Sequence, residues 1–523
     1  MNYADLFRIT LPETVLEIAA LLVLVVDLGF LRKAAMNVRL AVAAALGVVG
    51  CGVALIAVVL QGASWLTYGT GSDSTLLATG GFIAVAQAGI LVLTALTLLL
   101  LFDSMFTRNI GEFVAVVLMA AAGGMLIAGA QDLLVIFIGL ELLSLGLYIL
   151  TAFAKSSGKS AEAAMKYYLF GGMSAAFLLF GFSYLYGLTG TTNLALIQYR
   201  ITLAGPSPLF YVAWVLVIAG LGFKIAAVPF HLWAPDTYEG APAPAAAFVA
   251  SVSKVASFAL LITLAMNWWL RPSGNLTAGG FPLEQVLRAY YQTWPQVATI
   301  LLIAAAASMV VGNLAALAQS SVRRLLAYSA IAHAGYMLLG LAAHPVFTGK
   351  GSAVAFNSDS FFTTLRSMES VLFYVLTYGL TTVGAFGAVA VVERATGSDR
   401  MDSFLGLHKR NPLLAAVLLV LFLSLAGIPP LVGFWAKFNL FAAVLGEHAG
   451  PAPFALVCLA IAMSAVSLYY YLQVLKRAYV MPAVDESPIK VHPVVLAVLV
   501  GIAALVLLLG CFPTVLGVWI DGF

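Results

Sequence analysis

Residues 411–445 read NPLLAAVLLVLFLSLAGIPPLVGFWAKFNLFAAVL, an apolar run that holds two adjacent prolines and one charged side chain. A bilayer core is crossed by about 17–25 apolar residues, so this run is too long for one straight span. Pro429 and Pro430 remove backbone donors and break the hydrogen-bond ladder, which makes the segment two half-helices with Lys437 in the second. A milder version lies at 214–233, WVLVIAGLGFKIAAVPFHLW, where Pro229 follows Lys224. Broken helices expose backbone groups that need charge or water. Two of them at matching positions in the halves of a chain point to an ion site near the bilayer midplane.

Two more ionisable residues lie inside apolar runs, Lys254 in AAAFVASVSKVASFALLITLAM and Glu141 in VIFIGLELLSLGLYIL. A charge at mid-membrane costs at least about 2.5–3.5 kcal/mol on insertion scales, so such a residue marks function by default. Four in one chain point to movement of charge or protons.

Of the 523 residues, 63% are hydrophobic and 9% charged, and runs long enough to cross a bilayer recur from end to end. The fold class is an all-α polytopic membrane protein. The net charge of +3 is scattered over short loops, which gives no surface for nucleic acid; the partners expected are the lipid bilayer, protons and water. Cys51, Cys458 and Cys511 lie in apolar stretches without metal-ligand spacing and read as buried, inert thiols. The first apolar segment is too long for a signal peptide's core and has no small-residue cleavage site, so it reads as a retained span. No phosphate-binding loop, dinucleotide fingerprint or nucleophile elbow is present, which excludes an autonomous enzyme of the soluble type.

Apolar runs and loop punctuation give about fourteen helices, starting near residues 11, 40, 79, 112, 132, 164, 209, 242, 294, 323, 370, 411, 453 and 492. With the N-terminus outside, the inner loops hold fifteen basic residues and the outer segments six, which favours both termini outside the cytoplasm. Spans four to eight and nine to thirteen form two five-helix blocks. An odd number of helices turns the second copy over, giving inverted repeats with broken helices seven and twelve. The divisions are a three-helix segment at 1–110, the first repeat at 111–268, the second at 269–480 and a last helix at 481–523.

Glu141 and Lys224 have the chemistry of a switching pair. Burial disfavours the charged form of each and proximity restores it, so making or breaking the pair changes proton affinity. Lys254 can take a proton from Lys224 and pass it through His333, in LLAYSAIAHAGYMLLG, to Lys437. The bland alternatives are specific. A buried lysine can snorkel or satisfy half-helix carbonyls; His333 can be a packing residue; Lys166, near the inner boundary, can be an interfacial anchor as readily as a proton group. Glu112, Asp132 and Asp27 near span ends read as caps or boundary residues. His231, His344, His408, His448 and His492 read as solvated. Asp236 and Glu239, in HLWAPDTYEGAPAPAAA, read as part of a rigid turn in preference to a metal site.

The stretches LGFKIAAVPFHLWAPDTYEGAPAP, SSVRRLLAYSAIAHAGYMLLG and SLAGIPPLVGFWAKF, with IGLELLSLGLYIL, resemble the antiporter-like membrane subunits of respiratory complex I, the proton-pumping NADH:quinone oxidoreductase. The likeness covers about residues 100–480 and looks closest to the N-type subunit, for which AYSAIAHAGY and a lysine in helix twelve are typical. It implies proton translocation through Glu141, Lys224, Lys254 and Lys437, with Lys166 matching a lysine of helix six. It also implies that NADH, FMN, iron–sulfur clusters and quinone are held by partner subunits and none by this chain. The implied place is the bacterial inner membrane, among the other membrane and peripheral subunits of the complex. An Mrp-type sodium/proton antiporter subunit and a membrane subunit of an ion-pumping hydrogenase share the pattern. A pump-inactive spacer would lose the charged axis, which is intact here.

Overall fold

Helix boundaries follow local chemistry. Prolines fall in the first turn of helices starting at Leu11, Pro208, Pro412 and Pro493, where a missing amide donor costs nothing. Side chains of Asp132, Ser157, Asn193, Ser207 and Asn411 accept hydrogen bonds from the first free amides of the helices they precede. The structure, a computed structural model, describes all residues except 1–2, 63–66, 72–73, 105, 268–282, 343–357, 447–450, 484–485 and 516–523. The boundary expected at 268/269, His344 and His448 lie outside the described residues, as does most of the loop after helix ten.

The N-terminal segment holds α1 (Tyr3–Ile9), α2 (Leu11–Val25), α3 (Met36–Gly62) and α4 (Gly81–Leu99). The first block comprises α5 (Ile110–Gly129), α6 (Leu133–Thr151), α7 (Gly158–Thr189), the short connector α8 (Leu194–Ala204), the broken seventh span α9 (Pro208–Ile225) with α10 (Trp233–Gly240), and α11 (Ala243–Asn267). The second comprises α12 (Leu283–Leu317), α13 (Val322–Ala342), α14 (Ser358–Thr396), the short α15 (Leu407–Arg410), the broken twelfth span α16 (Pro412–Ala426) with α17 (Val432–Leu445), and α18 (Pro451–Tyr479). After the second block comes α19 (Pro493–Cys511). Twelve described helices are long and apolar enough to cross a membrane. The first span, α2 continued by a π-helical turn to Phe30, and the α16–α17 pair bring the total to the fourteen expected. One departure from an all-helical chain is a hairpin, β1 (Thr67–Gly71) and β2 (Ser74–Ala78), in the connection between spans two and three.

The two blocks pack alike. Helices α5 and α6 touch backbone to backbone at two glycines: a side chain at Gly123 would strike Leu143 N and Gly139 O, and one at Gly146 would strike Ala120. Helices α12 and α13 repeat this at Gly312, against Ala332 N and Tyr328 O, and at Gly335, against Met309. The spacings agree residue for residue, so the blocks share one register in which Ser144 corresponds to His333, Glu141 to Ala330 and Leu147 to Tyr336. Both broken spans turn in the left-handed region, at Ala226 with φ 59° and Gly427 with φ 87°. The blocks meet where α11 packs against α14.

Two expectations fail on the bundle's outside. Cys51 is buried, but Cys458 and Cys511 are exposed. An apolar stretch in a peripheral membrane helix has a lipid-facing side, and sequence alone does not say on which side a residue falls. His408 and His492 are not simply solvated: His408 Nδ1 lies 3.0 Å from Ala478 O and its ring stacks on Tyr479, while His492 caps α19 and stacks on Phe102.

Candidate functional site

The two halves of span twelve leave the last carbonyls of α16 without helical donors. Lys437, one and a half turns into α17, folds back onto them. Its Nζ donates to Ala426 O at 2.9 Å, Leu425 O at 3.1 Å and Ser464 Oγ at 2.8 Å. Gly427 makes room, since a side chain there would lie 2.9 Å from Lys437 Cδ. The positive group sits at the negative end of a half-helix, where a cation is favoured. In span seven the corresponding end is closed differently: Trp233 Nε1 donates to Phe223 O at 2.9 Å. Lys224, in the last turn of α9, instead donates to Ser144 Oγ on α6, and Ser144 Oγ in turn donates to Leu140 O. The two lysines therefore stand on opposite flanks of their breaks.

From Lys437 the buried groups continue sideways. Its Nζ lies 5.5 Å from the Tyr336 ring centroid. Tyr336 meets His333 edge to face at 5.8 Å, and His333 lies against Tyr378 at 4.8 Å and holds Tyr374 OH through Nδ1 at 2.8 Å. Lys254 Nζ is 5.6 Å from the Tyr378 ring centroid and donates to Ala330 O at 2.6 Å. Lys254, Tyr378, His333, Tyr336 and Lys437 thus form a contiguous row through α11, α14, α13 and α17. All are buried. Cations over aromatic faces gain about 2 kcal/mol or more when desolvated, which offsets part of the cost of holding them there.

Lys224 and Glu141 form a separate constellation. The expected pair is not closed in this conformation: Ser144, one turn after Glu141 on the same helix face, takes the ammonium hydrogen bond. Glu141 is half-buried and lies within electrostatic reach of Lys224.

Lys166 is not in the row. Its Nζ pairs with Glu162 and with Asp236 Oδ2, both at 2.7 Å. Arg324 holds Asp236 Oδ1 at 2.7 Å and Glu239 at 3.1 Å, and Lys159 holds Glu239 at 3.0 Å. Burial alone would raise both carboxyls; hydrogen bonds and charge from Lys166 and Arg324 outweigh it at Asp236, and from Lys159 and Arg324 at Glu239, holding both below the usual carboxylate range. The segment expected to be a rigid turn is instead largely helical, and Asp236 and Glu239 on α10 form an ionic clamp between α7 and α13. Asp132 caps α6 as expected. Asp27 does more than mark a boundary, accepting a bidentate pair from Arg39 at 2.7 and 2.6 Å.

Sequence reading missed Ser144, Tyr336, Tyr374 and Tyr378. Tyr336 was within reach, because it stands three residues after His333 and so shares its face. Tyr374 and Tyr378 carry no signal of their own: a tyrosine in an apolar span reads as packing until its neighbours are known.

A fourteen-span bundle with two broken helices and a buried row of lysines defines an antiporter-like membrane subunit. The family described as NADH:quinone oxidoreductase/Mrp antiporter, TM, matches residues 130–273 and 273–464. The chain is 45% identical to NADH-quinone oxidoreductase subunit N 2 of Acidobacterium capsulatum over 99% of each chain. It is similar, at 32% identity and TM-score 0.73 with 96% and 97% of the chains covered, to a chain in the structure of respiratory complex I from Thermus thermophilus with bound aureothin. A chain of the Mrp complex from Dietzia sp. shares the fold at TM-score 0.76, 20% identity, and 99% and 96% coverage. The chain belongs to the NADH-quinone oxidoreductase subunit N family.

Proposed function

We propose that this chain is a proton-translocating membrane-arm subunit of NADH:quinone oxidoreductase. It moves protons through Lys224, Lys254, His333 and Lys437 while electrons pass from NADH to quinone in partner subunits. The observation that carries the proposal is the row from Lys254 to Lys437, in which consecutive members touch and every charged member has a polar or aromatic neighbour. Ammonium groups exchange a proton by becoming neutral, and the carbonyl and hydroxyl partners present here accept hydrogen bonds from the charged form without locking it as a carboxylate would. Glu141 tunes Lys224 by approaching or leaving it, and Ser144 holds the ammonium in the open state. The five-helix blocks at 111–268 and 269–480 are the working units, and Pro229, Pro429 and Pro430 create the breaks. Lys166 belongs to the clamp with Asp236 and supports the first block at its inner boundary. NADH, FMN, iron–sulfur clusters and quinone reside in the partners. The setting is the bacterial inner membrane, with both termini on the outer side.

The test is Lys254→Met in the whole complex. Met keeps the stem, and Ala330 O, inside α13, keeps its helical amide partner. Assembled complex with proton pumping strongly reduced relative to NADH oxidation is expected. Wild-type pumping would overturn the assignment.

A further inference from the structure

Each break is also held from outside its own span. In span seven the amides of Ala226 and Ala227 fold back onto Phe223 O and Gly222 O at 3.0 and 2.8 Å, but the amide of Val228 donates to Ser308 Oγ at 2.9 Å. Pro229 follows and has no amide hydrogen. Ser308 lies on α12, the first helix of the second block, so a backbone group of the first block's break is satisfied by the second block. In span twelve the helix that follows the block again reaches the break. Trp435 Nε1 on α17 donates to Gly510 O of α19 at 2.8 Å, and a side chain at Gly510 would strike Pro430 O and Leu431.

The Ser308 hydroxyl is oriented for this contact. Its one hydrogen goes to Ala304 O of its own helix at 2.6 Å, which leaves a lone pair for the Val228 amide. The side chain is fully buried. Helix packing alone does not ask for a hydroxyl at this place: in the shared register of the two blocks Ser308 corresponds to Met119 on α5, which is exposed. The turn of α12 that carries Ser308 also touches α13 through its backbone. A side chain at Gly335 would lie 2.8 Å from both Ala305 O and Met309 N, and Gly335 stands two residues after His333. A single turn of α12 therefore lies between the break that follows Lys224 and the helix that carries His333.

We propose that Ser308 is a positioning residue that couples the two blocks, tying the break after Lys224 to α13 so that a shift of the half-helix end that carries Lys224 is passed to the stretch around His333. When the end of α9 moves toward or away from Glu141, Val228 moves with it. The hydrogen bond to Ser308 makes α12 follow, and close-packed backbone at Gly335 makes α13 follow α12, because packed helices pass on displacement where they have no room to absorb it. Ser308 carries no proton itself, since its hydrogen stays on Ala304 O. The inference rests on the reading of Lys224 as a proton carrier and adds the element that makes its state felt in the row.

Amide hydrogen exchange is measured on the whole complex, resting and during NADH oxidation, in peptides covering residues 223–230 and 328–340, together with protons pumped per NADH oxidised. In the wild type the exchange rates of both stretches change together when turnover begins. Ser308→Ala assembles and its 223–230 stretch still responds, but its 328–340 stretch does not, and pumping falls several-fold. Ser308→Thr, which keeps the acceptor, restores both readouts. The coupling is overturned if neither stretch responds in the wild type, if both still respond together in Ser308→Ala, or if that variant pumps normally. Loss of assembly in Ser308→Ala, or failure of Ser308→Thr in step with it, assigns the residue to packing and overturns the coupling as well. Lys224→Arg separates this inference from the one beneath it: normal pumping in that variant removes Lys224 as a carrier, while the exchange comparison still reads whether the two blocks move together.

Discussion

Replacing Lys437 separates its two jobs. Lys437→Met strips the ammonium donor from Leu425 O and Ala426 O, the last carbonyls of α16, leaving Ala426 O only the long 3.5 Å contact of Ser464 Oγ. Leaving a buried acceptor unsatisfied costs about 1–3 kcal/mol, so the pair together costs about 2–6 kcal/mol. Part is returned because an ammonium no longer has to be held out of water. Every 1.4 kcal/mol that remains is about a tenfold change in the opening equilibrium at the break. The expected outcome is less assembled complex on native gels, a lower midpoint of thermal inactivation and no pumping. Lys437→Arg keeps donors for both carbonyls and should restore assembly, but it should not restore pumping, because a guanidinium does not release its proton in the working range. Lys254→Met is the control, since its acceptor lies inside an unbroken helix. If Lys437→Met were as stable as Lys254→Met, the capping role would be refuted. If Lys437→Arg pumped normally, the carrier role would be.

Lys224→Arg should assemble and pump poorly; a lysine that only snorkels forecasts full pumping from the same variant, and measured pumping decides. Arg39→Ala leaves buried Asp27 without its bidentate partner and should destabilise the chain by about 3–5 kcal/mol, read as lost assembly that Asp27→Asn in the same chain partly restores. The clamp at Asp236 and Glu239 has a definite pH sign. Both carboxyls are held low in the folded chain, so their contribution is complete above their unfolded values, about 4, and is lost as pH falls through the folded values. Acid inactivation of the complex should therefore be shallower in Asp236→Asn with Glu239→Gln, and an unchanged acid limb would count against the clamp. Cysteines at Ser156 and Ser398 should resist an impermeant label applied outside intact cells, and efficient labelling of both would reverse the topology.

The architecture was legible because lipid is a simple solvent: span length and proline interruptions each carry one physical meaning. Lys224, Lys254 and Lys437 were legible for the same reason, being residues the bilayer penalises. The residues that lie between Lys254 and Lys437 were not. Tyr336 and Tyr378 cost nothing to place in a span, so their presence in FYVLTYG or AHAGY does not distinguish a relay wall from filler. Glu141 was expected to pair with Lys224, yet the ammonium's partner in this conformation is the unremarked Ser144, one turn further along the same helix. The cysteines show the converse limit, since apolar surroundings in sequence do not separate a core face from a lipid face.

Lys224 and Lys437 lie on opposite sides of their breaks, which turn at Ala226 and Gly427. The side chain of Lys437 reaches backward to the end of the helix before it, while Lys224 is already part of that end. Both lysines are therefore tied to the carbonyl end of a first half-helix, Lys437 by its side chain and Lys224 by its place in the chain. Aligned on the two breaks, the lysines fall in different columns. Kinship between the halves is better sought in which backbone ends are occupied than in which columns agree.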